Sequence, residues 1–297
     1  MQRSFLRGAV VLFTLACALL AHAQDIASFE KKITVKTLSN GLTVIVMERP
    51  EAPVFSFFTV VDTGSVQDPK GASGLAHMFE HMAFKGTPEI GTKNWPAEKE
   101  ALQKLEAAYQ ALDRERQKRI GKDPEKVKQL QAAFDQAQKD ADQYVIPNAF
   151  GTLIEQNGGV DLNAFTSDDE TAYFYSFPSN RTELWAYLES SRYANPVFRE
   201  FYKERDVVVE ERRMRTDSNP TGRMVEQYLA AAYTAHPYGT PTVGWPSEIT
   251  GVTITEAQKF FHEYYVPSNM IVSVVGDVKT AEIVPMIERY FAPIPSA

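Results

Sequence analysis

Cysteine and histidine are both scarce in this sequence of 297 residues, which has one cysteine, Cys17, and five histidines. A single cysteine cannot form a disulfide within the chain. Cys17 also lies in an N-terminal segment that has the features of a cleaved leader, so we expect the processed protein to contain no thiol. Its fold must therefore be stabilised by a hydrophobic core alone or by a bound metal.

An excess of basic charge is also missing, because the net charge is −7 at pH 7. Nothing in this overall balance indicates a nucleic acid or an anionic membrane as a partner. Hydrophobic residues make up 44% and charged residues 23% of the chain, which is typical of a globular protein. The length suits one large domain or two modest ones.

One long apolar run occurs, at residues 8–20, and it follows Arg3 and Arg7. The small-x-small sequence of residues 21–23 comes next and is typical of a signal-peptidase site. We therefore interpret residues 1–23 as a signal peptide, with no stable membrane anchor after cleavage. The alternative is an uncleaved anchor. Export from a Gram-negative bacterium would place the protein in the periplasm.

Two of the five histidines fall in one short segment, residues 73–86, which reads S-G-L-A-H-M-F-E-H-M-A-F-K-G. Its apolar spacing predicts a core helix that begins after Ser73 as N-cap and ends before Gly86. His77, Glu80 and His81 are three or four residues apart and so share one face. This H-x-x-E-H arrangement can hold Zn²⁺ through the imidazoles and place a carboxylate near its water. The alternative is an amphipathic helix with ordinary histidines.

A zinc site of this kind needs a third protein ligand. Outside the first helix and the predicted leader there are two further histidines, His236 and His262, and many carboxylates. The segment E-R-D-V-V-V-E-E, residues 204–211, is the more suggestive source, because Glu204 and Glu211 are two turns apart on one helical face. Spacing alone leaves open that this face is only a charged surface.

The remaining pattern predicts an α+β fold, a mostly antiparallel sheet with helices packed on it. An Asn-Gly pair at residues 40–41 separates two strand-like segments and indicates a hairpin. The predicted strands span residues 33–38, 42–47, 54–62, 160–167, 171–177 and 270–275. Residues 97–146 differ in composition, being rich in Glu, Lys, Gln and Ala, and predict a helical hairpin inserted into the domain. Spacing favours a solvated structural arm over a functional element for this insertion.

The sequence resembles the pitrilysin/insulinase family of zinc metallopeptidases, to which mitochondrial processing peptidase belongs. The resemblance rests on a series of motifs in the family's order and covers about residues 33–295. These motifs are L-S-N-G-L-T-V at 38–44, G-L-A-H-M-F-E-H-M-A-F-K-G-T at 74–87, G-G-V-D-L-N-A-F-T-S at 158–167, E-R-D-V-V-V-E-E at 204–211, H-P-Y-G at 236–239 and V-V-G-D-V at 274–278.

The resemblance implies a role for each matching residue. His77 and His81 would be ligands of one Zn²⁺ per chain, and Glu80 the general base. The last glutamate of the E-R-x-x-x-x-x-E pattern would be the third ligand, which is Glu211 and not Glu210. Glu204 would be a supporting acid near the site.

The resemblance also implies a substrate site and a reaction. Asn163, Ala164 and Phe165 would lie on an edge strand that pairs with the backbone of a peptide substrate, a mode that does not depend on side-chain sequence. Zn²⁺ lowers the pKa of its water to about 7, and Glu80 would take the proton and pass it to the leaving amine. The implied activity is that of a zinc endopeptidase.

Family members pair this domain with a second domain of similar fold, in the same chain or in a partner. We expect residues 24–297 to form only the first, N-terminal domain, so that either the sequence is a fragment of a longer chain or a partner supplies the second pitrilysin-type domain. The alternative function is a non-catalytic or half-site zinc-binding subunit that serves as a scaffold. The presence of all four residues, His77, Glu80, His81 and Glu211, favours the peptidase.

Overall fold

A single sheet forms the centre of the fold in the computed structural model, which describes residues 29–296. The predicted signal peptide, residues 1–23, lies outside the described residues. The strands are β1 (Ile33–Thr37), β2 (Thr43–Glu48), β3 (Val54–Val61), β4 (Val160–Thr166), β5 (Thr171–Pro178) and β6 (Met270–Gly276).

The strand order across the sheet is β1-β2-β6-β3-β5-β4. Neighbouring strands are antiparallel except β2 and β6, which are parallel. With helices packed against this sheet, the α+β fold predicted from the sequence is confirmed. Strand β4, which carries the N-A-F segment, is at one edge of the sheet.

The sheet buries one face because side chains alternate along its strands. In β3, Phe55 and Phe57 are buried and both contact Trp185, with ring centroids 5.8 and 5.4 Å apart. The Asn-Gly turn predicted between the first two strands is present, and Gly41 adopts φ +92° there. Asn40 is buried and donates to the carbonyl of Phe291 at 2.8 Å, which ties the hairpin to the last helix.

The helices follow the chain order with short connections. They are α1 (Leu75–Met82), α2 (Trp95–Arg116), α3 (Pro124–Asp142), α4 (Ala149–Gln156), α5 (Thr182–Ala194), α6 (Phe201–Arg212), α7 (Pro220–Ala232), α8 (Pro246–Ile249), α9 (Ile254–Tyr264) and α10 (Thr280–Phe291). A π-helical turn, Arg213–Asp217, extends α6. Between residues 29 and 296, no helix has both the length and the apolar character required to cross a bilayer.

Helices α2 and α3 form the hairpin that the sequence predicts, but its base is not a solvated arm. Leu105, Tyr109 and Leu112 of α2 are buried. Phe134 of α3 packs against Tyr109, with ring centroids 5.6 Å apart, and against Tyr202 of α6, at 5.3 Å. The base of the hairpin therefore belongs to the core, whereas residues 116–126 at its tip are all exposed.

Candidate metal centre

Two helices bring the proposed ligands together. His77 and His81 lie one turn apart on α1, and Glu211 lies in the last turn of α6. Glu211 Oε2 is 3.5 Å from His77 Nε2 and 3.4 Å from His81 Nε2. One ligand atom from each of the three residues lies within 4.8 Å of the others. The structure thus joins residues that are 130 positions apart in the sequence into one group that could hold a metal ion.

The spacing of these atoms fits a zinc ion. Ligands at about 2.0–2.2 Å from a tetrahedral Zn²⁺ are separated from one another by about 3.4 Å, which matches both His–Glu distances. Two imidazoles and one carboxylate are also a donor set that zinc accepts in catalytic sites. The side chains of His77, His81 and Glu211 are 8%, 21% and 14% exposed, so a bound ion would be largely shielded from solvent.

Glu80 lies beside this group but is not part of it. Its Oε2 accepts a hydrogen bond of 2.6 Å from the hydroxyl of Thr166, the last residue of β4. Burial raises the pKa of Glu80, although the Thr166 bond opposes this shift. Because Thr166 occupies one carboxylate oxygen, the other is left to accept a proton. The sequence motif gave no indication of Thr166, which lies 86 residues from Glu80.

Glu204 lies next to the proposed ligands. Its Oε2 is 3.3 Å from His81 Nδ1, the ring nitrogen that points away from Glu211. Lys85, which the sequence analysis did not identify, reaches Glu204 Oε1 at 2.5 Å and Glu200 at 3.2 Å. A carboxylate on the second nitrogen of a ligating histidine fixes its tautomer and orientation.

The pKa values of the two histidines move in opposite directions when no metal is bound. Burial lowers the pKa of His77 to about 4. Burial lowers the pKa of His81 too, but hydrogen bonds with Glu204 and Glu211 outweigh it and raise that pKa to about 9. The same hydrogen bond from His81 holds the pKa of Glu211 below its usual value. Metal binding by His81 requires its deprotonated form.

Glu210 points elsewhere, as the helical geometry predicted. Its side chain is 58% exposed and pairs with Arg213 at 2.8 Å. Glu211 Oε1, the oxygen that faces away from the histidines, pairs with Arg215 at 2.7 Å. The two neighbouring glutamates therefore have different surroundings, and Glu211 alone faces α1.

Helix α1 begins differently from the prediction. Ser73 is not the N-cap, because Gly74 takes that position with φ +86°. The helix N-terminus is capped from outside by Asp68, whose carboxylate accepts from Gly74 N at 2.6 Å and Ala76 N at 2.8 Å. The Ser73 hydroxyl instead accepts from Trp245 N at 2.9 Å. A side chain at Gly74 would place Cβ 2.5 Å from Val243 O, so this close approach requires glycine.

A buried arginine fixes the segment after α1. The guanidinium of Arg199 donates to the carbonyls of Lys85, Thr87 and Ile90. Its Nε also contacts Glu98 of α2 at 2.7 Å, and both side chains are at most 1% exposed. Arg199 therefore ties the segment after α1 to the hairpin, and sequence spacing gave no signal for it.

Two clefts lie next to the centre. One, of about 390 Å³, is lined by Glu80, His81, Phe84 and the N-terminal part of α6. The other, of about 800 Å³, is lined by the three proposed ligands and by Arg215. Asn163 and Ala164 of β4 line both clefts, so the edge strand runs past the metal centre.

The other two histidines between residues 29 and 296 are remote from the proposed ligands. His236 is exposed, and its Nδ1 accepts from Tyr238 N at 3.3 Å within the H-P-Y-G turn. The Tyr238 hydroxyl donates to Asp169 at 2.8 Å, next to the turn that joins β4 to β5. His262 is exposed on α9.

Comparisons with known proteins agree with this geometry. A family model described as insulinase (peptidase family M16) matches residues 43–117 and 137–245, and one described as the peptidase M16 inactive domain matches residues 251–297. The zinc protease PqqE of Helicobacter pylori is 29% identical over 287 residues, which cover 96% of this chain and 51% of that protein.

Solved structures share the fold. A protease from Helicobacter pylori superimposes with a TM-score of 0.66 at 26% identity, covering 90% of this chain and 51% of that one. The first half of the periplasmic protease PqqL from Escherichia coli gives a TM-score of 0.63 at 22% identity, over 90% of this chain and 47% of that one. This chain spans about half the length of the curated relatives it matches. With well over half of its residues matched by the family model, the chain belongs to the insulinase family of peptidases, M16.

Proposed function

We propose that this chain is the zinc-binding half of an exported zinc endopeptidase that cleaves peptides or unstructured polypeptides. The observation that carries the proposal is the position of Glu80. It lies next to the group formed by His77, His81 and Glu211, yet it is bound by Thr166 and not by the ligands. A site for zinc storage or structure alone has no need of a free carboxylate beside its ligands.

The residues divide the chemistry among them. His77 Nε2, His81 Nε2 and Glu211 Oε2 would hold the ion. When bound, Zn²⁺ supplies an acidified water with a pKa of about 7 and an electrophile for the scissile carbonyl. Glu80 accepts a proton from the attacking water and donates it to the leaving amine. Burial raises the pKa of Glu80, which favours acceptance of a proton.

Strand β4 is the proposed substrate strand. Its outer edge has no partner strand in the described chain, so its backbone groups can pair with an extended peptide. Along β4, Ala164 and Thr166 are half-buried, whereas Asn163 and Phe165 are exposed. Since Thr166 contacts Glu80, a peptide added at this edge would lie beside the base.

The active form is proposed to contain a second M16-type half. The support is that the relatives are about twice as long as the matched region. An open half-site leaves the transition state exposed to water and without the groups that a second half would contribute. A zinc-binding subunit that acts only as a scaffold is the competing function, and one family model described as inactive matches residues 251–297.

The test is to measure bound zinc and hydrolysis of an unstructured peptide on the same preparations. The chain alone should bind about one zinc and cleave slowly or not at all. Joining it to, or mixing it with, a second M16-type half should raise the rate at least about a hundredfold, the effect of one stabilising group. Full activity from a verified monomer would contradict the need for a second half. Zinc binding without activity in the assembled form would favour the scaffold.

Export is proposed from the N-terminal sequence, residues 1–23. The related PqqL of Escherichia coli is described as periplasmic. N-terminal sequencing of the protein recovered from a Gram-negative host should begin at Gln24 if the leader is cleaved as proposed. An intact Met1 in the membrane fraction would instead indicate an anchor.

A further inference from the structure

The tip of the α2–α3 hairpin concentrates basic charge. Seven of the 31 lysine and arginine residues of the chain lie within residues 114–128, together with three acidic residues. Because the whole chain has a net charge of −7, this basic tip contrasts with an acidic remainder. The cations are Arg114, Arg116, Lys118, Arg119, Lys122, Lys126 and Lys128.

Most of this charge is not neutralised locally. Glu115 pairs with Lys118 at 2.7 Å and with Lys126 at 3.6 Å. The Asp123 carboxylate accepts from backbone N–H groups at the start of α3. The other five cations form no ion pair with any residue between 29 and 296. They are therefore available to an anionic partner.

An apolar side chain stands at the centre of these cations. Ile120 is 93% exposed, and every residue from 116 to 126 is exposed. Tyr109, whose ring contacts Tyr202 of α6 and so fixes the hairpin to the body, lies seven residues before the end of α2. The tip therefore extends about 10 Å beyond that contact. It is a narrow projection and not a flat face.

The tip is also separate from the peptidase architecture that the family shares. The family model stops at residue 117 and resumes at residue 137. The intervening residues contain Ile120 and three of the five unpaired cations, Arg119, Lys122 and Lys128. The proposed metal ligands and the buried residues Leu105, Tyr109 and Leu112 of α2 lie within the matched regions. Much of the charge of the tip thus lies outside the shared architecture.

We infer that the hairpin tip docks on the anionic headgroups of a phospholipid membrane, with Ile120 reaching the apolar layer beneath them. Clusters of four to eight cations beside an amphipathic helix attract anionic lipid. One aliphatic side chain adds to such a contact without anchoring the protein irreversibly. An exposed aliphatic side chain among cations suits a headgroup layer that covers hydrocarbon, and this favours a lipid surface over a partner that is only acidic.

The experiment compares binding of the full chain to vesicles of phosphatidylcholine with and without about one-third phosphatidylglycerol, at low salt. Arg119→Gln with Lys122→Gln should lower the partition coefficient onto the anionic vesicles about 25-fold. The matched control is Lys104→Gln with Lys139→Gln, which removes the same charge from exposed positions elsewhere on the hairpin. The control should bind as the parent chain does. Ile120→Ser should lower binding severalfold without changing its dependence on lipid charge.

A second readout separates the tip from the apolar residues 8–20, which can bind lipid themselves. An amine-acetylating reagent is applied, and labelling of Lys122 is compared with that of Lys279, which is 75% exposed and remote in sequence. Anionic vesicles should slow labelling of Lys122 about tenfold and leave Lys279 unchanged. The protection should disappear in 0.5 M salt, because screening weakens contacts between exposed charges.

Three results would overturn the inference. The first is equal labelling of Lys122 with anionic and neutral vesicles, and the second is an equal loss of binding in the control variant. The third is binding of polyglutamate through Arg119 and Lys122 with no protection by vesicles, which would identify an acidic polypeptide as the partner. Far-UV circular dichroism of each variant checks that the hairpin remains helical.

Discussion

Thr166 donates a hydrogen bond of 2.6 Å to Glu80, and this contact joins the edge strand to α1, the helix of the two proposed histidine ligands. Thr166 ends β4, two residues after Ala164, while Glu80 lies between the two histidines of α1. The strand proposed to hold the substrate and the carboxylate proposed to move the proton are therefore fixed relative to each other. A small displacement between such groups can lower a rate strongly.

Glu80→Gln should keep zinc and lose turnover. The amide cannot accept the proton, and general-base catalysis contributes about 10²–10⁴-fold. Zinc content is measured by atomic spectroscopy beside peptide hydrolysis by the assembled form. An empty site in this variant would mean that Glu80 is a ligand and that the roles are wrongly assigned.

Thr166→Val should lower kcat about tenfold and leave KM nearly unchanged, because the hydroxyl orients the base and does not contact the substrate in this assignment. Thr166→Ser keeps the hydroxyl and is the matched control, so it should recover most of the rate. Zinc content should remain the same in both variants. Equal rates for the Thr166→Val and Thr166→Ser variants would show that the hydrogen bond to Glu80 has no part in catalysis.

Glu211→Gln should weaken zinc binding much more than Glu210→Gln. Glu211 lies 3.4–3.5 Å from both imidazole nitrogens, whereas Glu210 is 58% exposed and contacts Arg213. Removing the charge of a ligand lowers affinity directly, while an exposed carboxylate contributes little. Competition with a zinc-binding dye gives the two affinities, and similar values would reject Glu211 as the third ligand.

Glu204→Gln should reduce zinc affinity about 10–100-fold, the usual effect of removing a partner behind a ligating histidine. The His81 ring would lose the charged acceptor at Nδ1, and Lys85 would lose its 2.5 Å contact. The same titration measures the change. The exposed Glu263→Gln, on α9, is the control and should leave affinity unchanged.

Arg199→Met should destabilise the fold by about 3–5 kcal/mol, since it leaves the buried carboxylate of Glu98 unpaired. Both side chains are at most 1% exposed. Arg213→Met, at a residue that is 64% exposed, should change stability by less than about 0.5 kcal/mol. Urea unfolding followed by circular dichroism measures both. Adding Glu98→Met to Arg199→Met should restore much of the loss, and failure to do so would place the cost in the three carbonyl contacts.

Local patterns in the sequence were enough to predict the order of strands and helices along the chain. They also predicted the Asn-Gly turn and the shared helical face of His77, Glu80 and His81. Each depends on neighbours within a few residues, through backbone preference or helical periodicity. The hairpin of α2 and α3 was predicted for the same reason. Its buried base was not, because burial of Tyr109 depends on Phe134 and Tyr202, which come from other helices.

The start of α1 shows where local reasoning fails. Ser73 has the residue type of an N-cap, but its hydroxyl is taken by Trp245, 172 residues away, and Asp68 caps the helix from the preceding loop. Capping preference is weak beside a tertiary contact that competes for the same side chain. The sequence could not show which contact would form.

The metal centre combines the two kinds of information. The spacing of His77 and His81 is a property of one helix, so the sequence by itself determined it. Three contacts depend on how α6, β4 and α2 pack around α1. They are the approach of Glu211 to the histidines, the hydrogen bond of Thr166 to Glu80, and the contacts of Arg199 with the segment after α1. Only the tertiary structure decided these contacts. Packing in a shared core brings together residues that are distant in the sequence, whereas periodicity describes one helix or strand at a time.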